Sequence, residues 1–163
     1  MTSPITWFTQ AVAVTLMNLI RLGRLTGESR REEEAAALIR AFAGPLTQIP
    51  TAHSQWLIGL ELLAAPSREV VIAGTPGADE TAALLAVLRG TYLPGLTLLL
   101  RPPGEEGERI AALAPFTREM GPVGGRPAAY VCTGHACRQP VTDPKELAAL
   151  LTPTPPSPVE GEG

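Results

Sequence analysis

The sequence predicts an α+β protein in which helical hairpins lead into a small three-stranded α/β unit. Three observations predict it. Apolar residues recur at helical spacing across residues 5–65. Beyond Arg68 the period gives way to a short β-branched run, Val70-Val71-Ile72-Ala73. Glycine and proline clusters then cut the remainder into strand-sized and helix-sized pieces. The expected organisation is a helical segment at 1–66, the α/β unit at 67–151, and a disordered Pro-, Gly- and Glu-rich tail at 152–163.

The uncharged stretch Ile5 to Ile20 is expected to be a core helix. Its polar residues and its rise of ~24 Å fall short of a ~30 Å hydrocarbon core. Phe8, Ala11, Val12, Leu16, Leu19 and Ile20 form a stripe, while Val14 and Met17 add apolar surface elsewhere, so neighbours are expected on several sides. Ser29 and Glu32 mark a second helix as a capping box, with Ala35, Leu38, Ile39 and Phe42 on its inner face and Gly44-Pro45 as its stop. Thr51 opens a third helix whose face is His53, Trp56, Leu57, Leu60, Leu63 and Ala64, until Pro66 ends it.

After the strand at 70–73, a Gly74-Thr75-Pro76-Gly77 turn leads into a helix at 79–88 and a second buried strand at 96–100, forming a parallel βαβ unit. A short helix near 108–113 and a third strand at 128–131 follow. Asp143, Pro144 and Glu146 announce a last short helix carrying Leu147 and Leu150.

Composition narrows the function classes. Thirteen basic against 16 acidic residues, with a pI near 5.4, give no broad footprint for nucleic acid or anionic lipid. Two cysteines are too few for a disulfide scaffold, and the first twenty residues lack the positive region of a secretory signal. A cytoplasmic protein with reduced thiols is expected, with no nucleic-acid or membrane partner.

Three places hold chemically capable residues, each beside a plainer reading. The Gly74–Gly77 turn sits where nucleotide-binding folds cradle phosphate, but it lacks the glycine fingerprint, and Asp79 and Glu80 would repel an anion; a structural turn is favoured. Cys132 and Cys137 enclose His135 in a C-x4-C pattern that is neither a thioredoxin-like pair nor a complete zinc site. His53 would have to supply a fourth ligand from another segment. These thiols are candidates for redox or metal work, against the commoner reading as structural cysteines. His53 itself, on an apolar helix face, is a low-ranking pocket candidate and more simply a core histidine. No carboxylate pair suited to acid–base catalysis stands out, no cofactor is called for, and the substrate, if any, is left open.

The segments NLIRLGRLTGE (18–28), PSREVVIAG (66–74) and AYVCTGHACRQPVTDPKEL (129–147) resemble the C-terminal end of the thioredoxin-domain proteins related to spermatogenesis-associated protein. The resemblance covers most of residues 11–151. It implies a thioredoxin-like domain and earlier hairpins of a six-hairpin α/α toroid upstream of this chain, and a toroid like those of N-acylglucosamine epimerases and six-hairpin glycosidases. The chain is then expected to be a structural, C-terminal part without a complete active site, its partner being the rest of the toroid or a second copy. The family tends to have an aromatic residue where this chain has His135, so no family role transfers to that histidine. The alternative is a small α/β thiol-redox or metal-binding module using Cys132 and Cys137.

Overall fold

The computed structural model describes residues 4–93, 95–134 and 136–152, with side chains except at 4–9, 45, 50 and 52. The expected tail from residue 153 onward lies outside the described residues. Three helices come first: α1 (Pro4–Thr26), α2 (Ser29–Gln48) and α3 (Ser54–Ala64), with a 3₁₀ turn at Pro50–His53 leading into the third. The α/β unit follows as β1 (Arg68–Ala73), α4 (Asp79–Gly90), β2 (Leu96–Arg101), α5 (Glu105–Leu113), β3 (Ala128–Thr133), β4 (Ala136–Cys137) and α6 (Pro144–Leu151), with a 3₁₀ turn at Pro115–Thr117 after α5. Among the described residues, no helix is long and apolar enough to cross a membrane.

The helical part packs around one cluster. Ala13, Leu16 and Ile20 of α1, Ala35 of α2, and Trp56 and Leu62 of α3 are buried together. Phe42 and Trp56 meet with ring centroids 4.6 Å apart, joining α2 to α3. Gly59 lets α3 approach α1 closely, because a Cβ there would lie 2.5 Å from Leu16 Cδ2. Arg24, only 4% exposed, donates from Nη2 to the carbonyls of Leu62 and Ala65, so a cation neutralises the C-terminal end of α3.

Two helix expectations are corrected. Gly44-Pro45 does not stop α2, which runs on to Gln48. A Cβ normally bars the residue before proline from the helical region, and Gly44 has none; the Thr47 hydroxyl donates to the carbonyls of Ala43 and Gly44 in the turn so weakened. Thr51 does not open the third helix: it lies inside a 3₁₀ turn that begins at Pro50, and the helix itself starts at Ser54. The buried face of α3 is then Trp56, Gly59 and Leu62, while Leu57 and Leu60 are each 42% exposed.

Among the described residues the sheet has four strands, not three, in the order β2-β1-β3-β4. β1 pairs parallel with β2 across the α4 crossover, as its sequence pattern requires, and antiparallel with β3. This central position explains why β1 reads as a nearly unbroken apolar run. Val70 and Ile72 face one side, joining Leu84 and Leu88 of α4 and Leu147 and Leu151 of α6. Val71 faces the other, with Met120 and Cys132 and the flanking Leu99, Phe116 and Tyr130. The fourth strand is a two-residue return of the chain along β3, too short to carry a period of its own. Arg101, at the end of β2, donates to the carbonyls of Met120 and Arg118 and to Glu108, fastening the loop after α5 onto the sheet.

Candidate functional site

The cysteines lie at the free edge of the sheet. Alternation along β3 turns Tyr130 and Cys132 to one face, and the chain then reverses so that Thr133 opposes Ala136 and Cys132 opposes Cys137. Gly134, at φ 56°, supplies the left-handed conformation such a tight reversal needs, and its amide donates to the Ser67 carbonyl at the entrance to β1. Directly opposed side chains are neighbours, and Cys132 and Cys137 form a disulfide with an S–S distance of 2.04 Å. The expectation of reduced thiols is therefore corrected. Closing so small a loop stabilises by about 2 kcal/mol through lost chain entropy.

The two sulfurs occupy different environments. Cys132 is 1% exposed and touches the apolar cluster around Val71 and Met120, whereas Cys137 is exposed on the edge strand. On the other flank of β3, Glu69 of β1 is register-paired with Cys132. Glu69 is 2% exposed, a carboxyl group withdrawn from water inside a sheet. It lines a cavity of about 160 Å³ with Cys132, Thr133, Arg68 and Arg138. A buried carboxyl and a buried sulfur are thus paired across β1 and β3 at one end of the sheet, where an exposed sulfur is also bonded to the buried one.

The other sequence candidates fall elsewhere. His135 lies outside the described residues. His53 is half-buried at the junction between the 3₁₀ turn and α3, where its side chain makes no cap hydrogen bond. It belongs to the helical part, while the cysteines belong to the sheet. Among the described residues, no group of three or more His, Cys, Asp or Glu side chains converges on a metal-sized site. A sulfur pair joined to itself offers no thiolate to a metal while the bond stands.

The Gly74–Gly77 segment is a tight turn. The Ala78 amide donates to the Thr75 carbonyl, and Gly77 takes φ 80°, the conformation that a turn with proline in its second position and glycine in its third favours. A Cβ at Gly74 would lie 2.6 Å from Thr81 Oγ1 and 2.7 Å from Pro127 Cβ, so this glycine serves packing. Glu80, at the start of α4, faces Arg126 at 3.5 Å.

A second cavity, about 450 Å³, opens where the helices meet the sheet, lined by Arg21, Arg24, Glu61, Arg68 and Tyr92 among others. Neither Glu69 nor Arg24 stands out in the sequence as a site residue. A glutamate next to an apolar strand was the available signal for Glu69, masked by starting the strand at Val70. Arg24 follows a helical stripe whose end the sequence placed at Ile20.

Comparison with known proteins gives the ancestry. The chain is 31% identical over 141 residues to spermatogenesis-associated protein 20 of Rattus norvegicus, an alignment covering 86% of this chain and 18% of that protein. It is 30% identical over 143 residues to the human protein of the same name, covering 88% and 18% respectively. The chain thus spans about a fifth of the length of the curated relatives it matches. No protein-family model matches it, and no solved structure does. Over most of its length, this chain is a homologue of spermatogenesis-associated protein 20.

Proposed function

We propose that this chain acts as a structural part of a larger helical assembly, completing an α/α toroid by packing α1–α3 against further hairpins and having no complete active site of its own. The single observation that carries this reading is the apolar surface of α3. Leu57 and Leu60 are 42% exposed and Ile58 50% exposed, on a helix whose opposite face is already buried. A helix that is apolar around most of its circumference belongs in an interior. Val14 and Leu22 of α1 are exposed as well. The share of the relatives' length that the chain spans agrees with a role inside a longer protein.

In this reading residues 1–66 are the hairpin part and 67–151 the α/β part. The separate clusters around Trp56 and around Val70 support the division. The parent's chemistry would be carbohydrate-related, by analogy of the toroid fold alone, and its setting cytoplasmic.

Light scattering of the purified chain, with a Leu57→Glu/Leu60→Glu variant beside it, tests the proposal. The expected result is concentration-dependent association or binding of a hydrophobic dye by the parent chain, lost in the double variant. A parent chain that stays monomeric, binds no dye and unfolds cooperatively overturns it.

A further inference from the structure

We propose that the Cys132–Cys137 pair is a thiol–disulfide exchange site, with Cys137 the sulfur attacked from solution, Cys132 the resolving sulfur and Glu69 the group that carries its proton. The inference is independent of the toroid reading and rests on the asymmetry of the pair. Disulfide exchange proceeds by in-line attack of a thiolate on one sulfur, so accessibility decides which sulfur is attacked. Cys137 is exposed on a two-residue edge strand, and Cys132 is 1% exposed beneath it. An incoming thiolate therefore reaches Cys137 alone.

The burial that protects Cys132 creates a second requirement. When the bond breaks, its electron pair departs on Cys132 Sγ, into apolar surroundings at Val71 and Met120 where a thiolate is costly and bulk water is absent. Glu69 meets that requirement. Register places it directly opposite Cys132 on β1, and opposed side chains on antiparallel strands have Cβ atoms about 4.5–5.5 Å apart.

The reaction balances with an external dithiol as reductant. One thiolate of that dithiol bonds to Cys137 Sγ, the Cys132–Cys137 bond breaks, and Cys132 takes a proton by way of Glu69. The second thiol of the reductant, deprotonated, then bonds to the sulfur held by Cys137, releasing Cys137 as a thiolate that is protonated from solvent. Two electrons and two protons pass to this chain, and the reductant leaves as a disulfide. In reverse, Glu69 takes the proton from Cys132 as that sulfur attacks a mixed disulfide on Cys137, and the displaced thiolate departs.

The test separates the two half-steps by mass spectrometry after acid quench, with glutathione disulfide reacting with the reduced chain. Cys132→Ser should accumulate glutathione on Cys137, and Cys137→Ser should react at least tenfold more slowly. Glu69→Gln should leave the first attack within twofold of the parent rate and slow ring closure by Cys132 at least tenfold, and Glu69→Asp should recover part of that rate. A merely structural Glu69 would not divide the half-steps in this way. Equal labelling of the two single-cysteine variants overturns the assignment of roles. Ring closure at the parent rate in Glu69→Gln overturns the proton role; if that variant does not fold, Glu69→Asp closing the ring at the parent rate or at one too slow to measure does so instead.

Discussion

The close approach of α1 and α3 can be tested by adding one methyl group. In Gly59→Ala, the new Cβ lies 2.5 Å from Leu16 Cδ2, 3.1 Å from Leu16 Cγ and 3.7 Å from Met17 Cγ. Carbon atoms in favourable contact sit about 3.5–4.0 Å apart, so the overlap is close to 1 Å. Leu16 is 0% exposed, and because its branch point is crowded as well as a terminal methyl, a simple rotamer change does not relieve the contact. Overpacking of this kind costs about 1–3 kcal/mol, against a helix-propensity gain of about 1 kcal/mol for alanine over glycine. With the branch point involved, the upper half of that range applies and the variant should lose about 1–2 kcal/mol. Gly90→Ala is the control, because a Cβ there meets nothing within 4 Å. It should gain about 0.4–1 kcal/mol through the unfolded state. Equilibrium urea unfolding followed by circular dichroism reads both as shifts of the midpoint at constant slope. If Gly59→Ala is as stable as the parent while Gly90→Ala behaves as stated, the two helices do not cross at Gly59 and the reasoning fails.

Arg101→Met removes the donor that serves the carbonyls of Met120 and Arg118. With the exposed Glu108 partner discounted, the loss should be about 2–3 kcal/mol, with Arg101→Lys recovering only part of it because an ammonium cannot span both carbonyls; an unchanged urea midpoint would count against this anchoring role. Asp143→Ala deletes the cap in which Oδ1 accepts from the Lys145 amide at 2.6 Å. It should cost about 1 kcal/mol and speed amide exchange in α6, with Asp143→Asn restoring most of it; unchanged exchange in α6 would show the cap to be idle.

Much of the architecture was legible because its signals are local. The β-branched run at Val70–Ala73, the turn with Gly77 in a left-handed conformation and the Asp143-Pro144 start each encode their own element, and each lies where the pattern put it. The misplacements have tertiary causes. The α3 stripe included Leu57 and Leu60 because periodicity records which residues are apolar, not which neighbours are present, and the side facing α1 is selected by a glycine that hydrophobic counting ignores. Gly44-Pro45 reads as the end of α2 in the sequence, but part of proline's clash with the residue before it falls away where that residue, Gly44, has no Cβ, and the helix runs on to Gln48. At the candidate site, Cys132 and Cys137 were found from their spacing, but their bond depends on a strand reversal that two residues cannot announce. Glu69 was invisible as a site residue because its pairing with Cys132 joins segments more than fifty positions apart in the chain.

The placement of β1 has a consequence for synthesis. Its partner β2 follows after one crossover, so that parallel pair can form early, while β3 emerges much later. A nascent chain that ends before Ala128 therefore holds β1 with one hydrogen-bonding edge open, and an open edge of apolar residues recruits other strands. The segment that seals that edge also carries both sulfurs. The bond between them can thus form only after the strand that encloses β1 has been made, which ties the disulfide to the last part of the sheet to be synthesised.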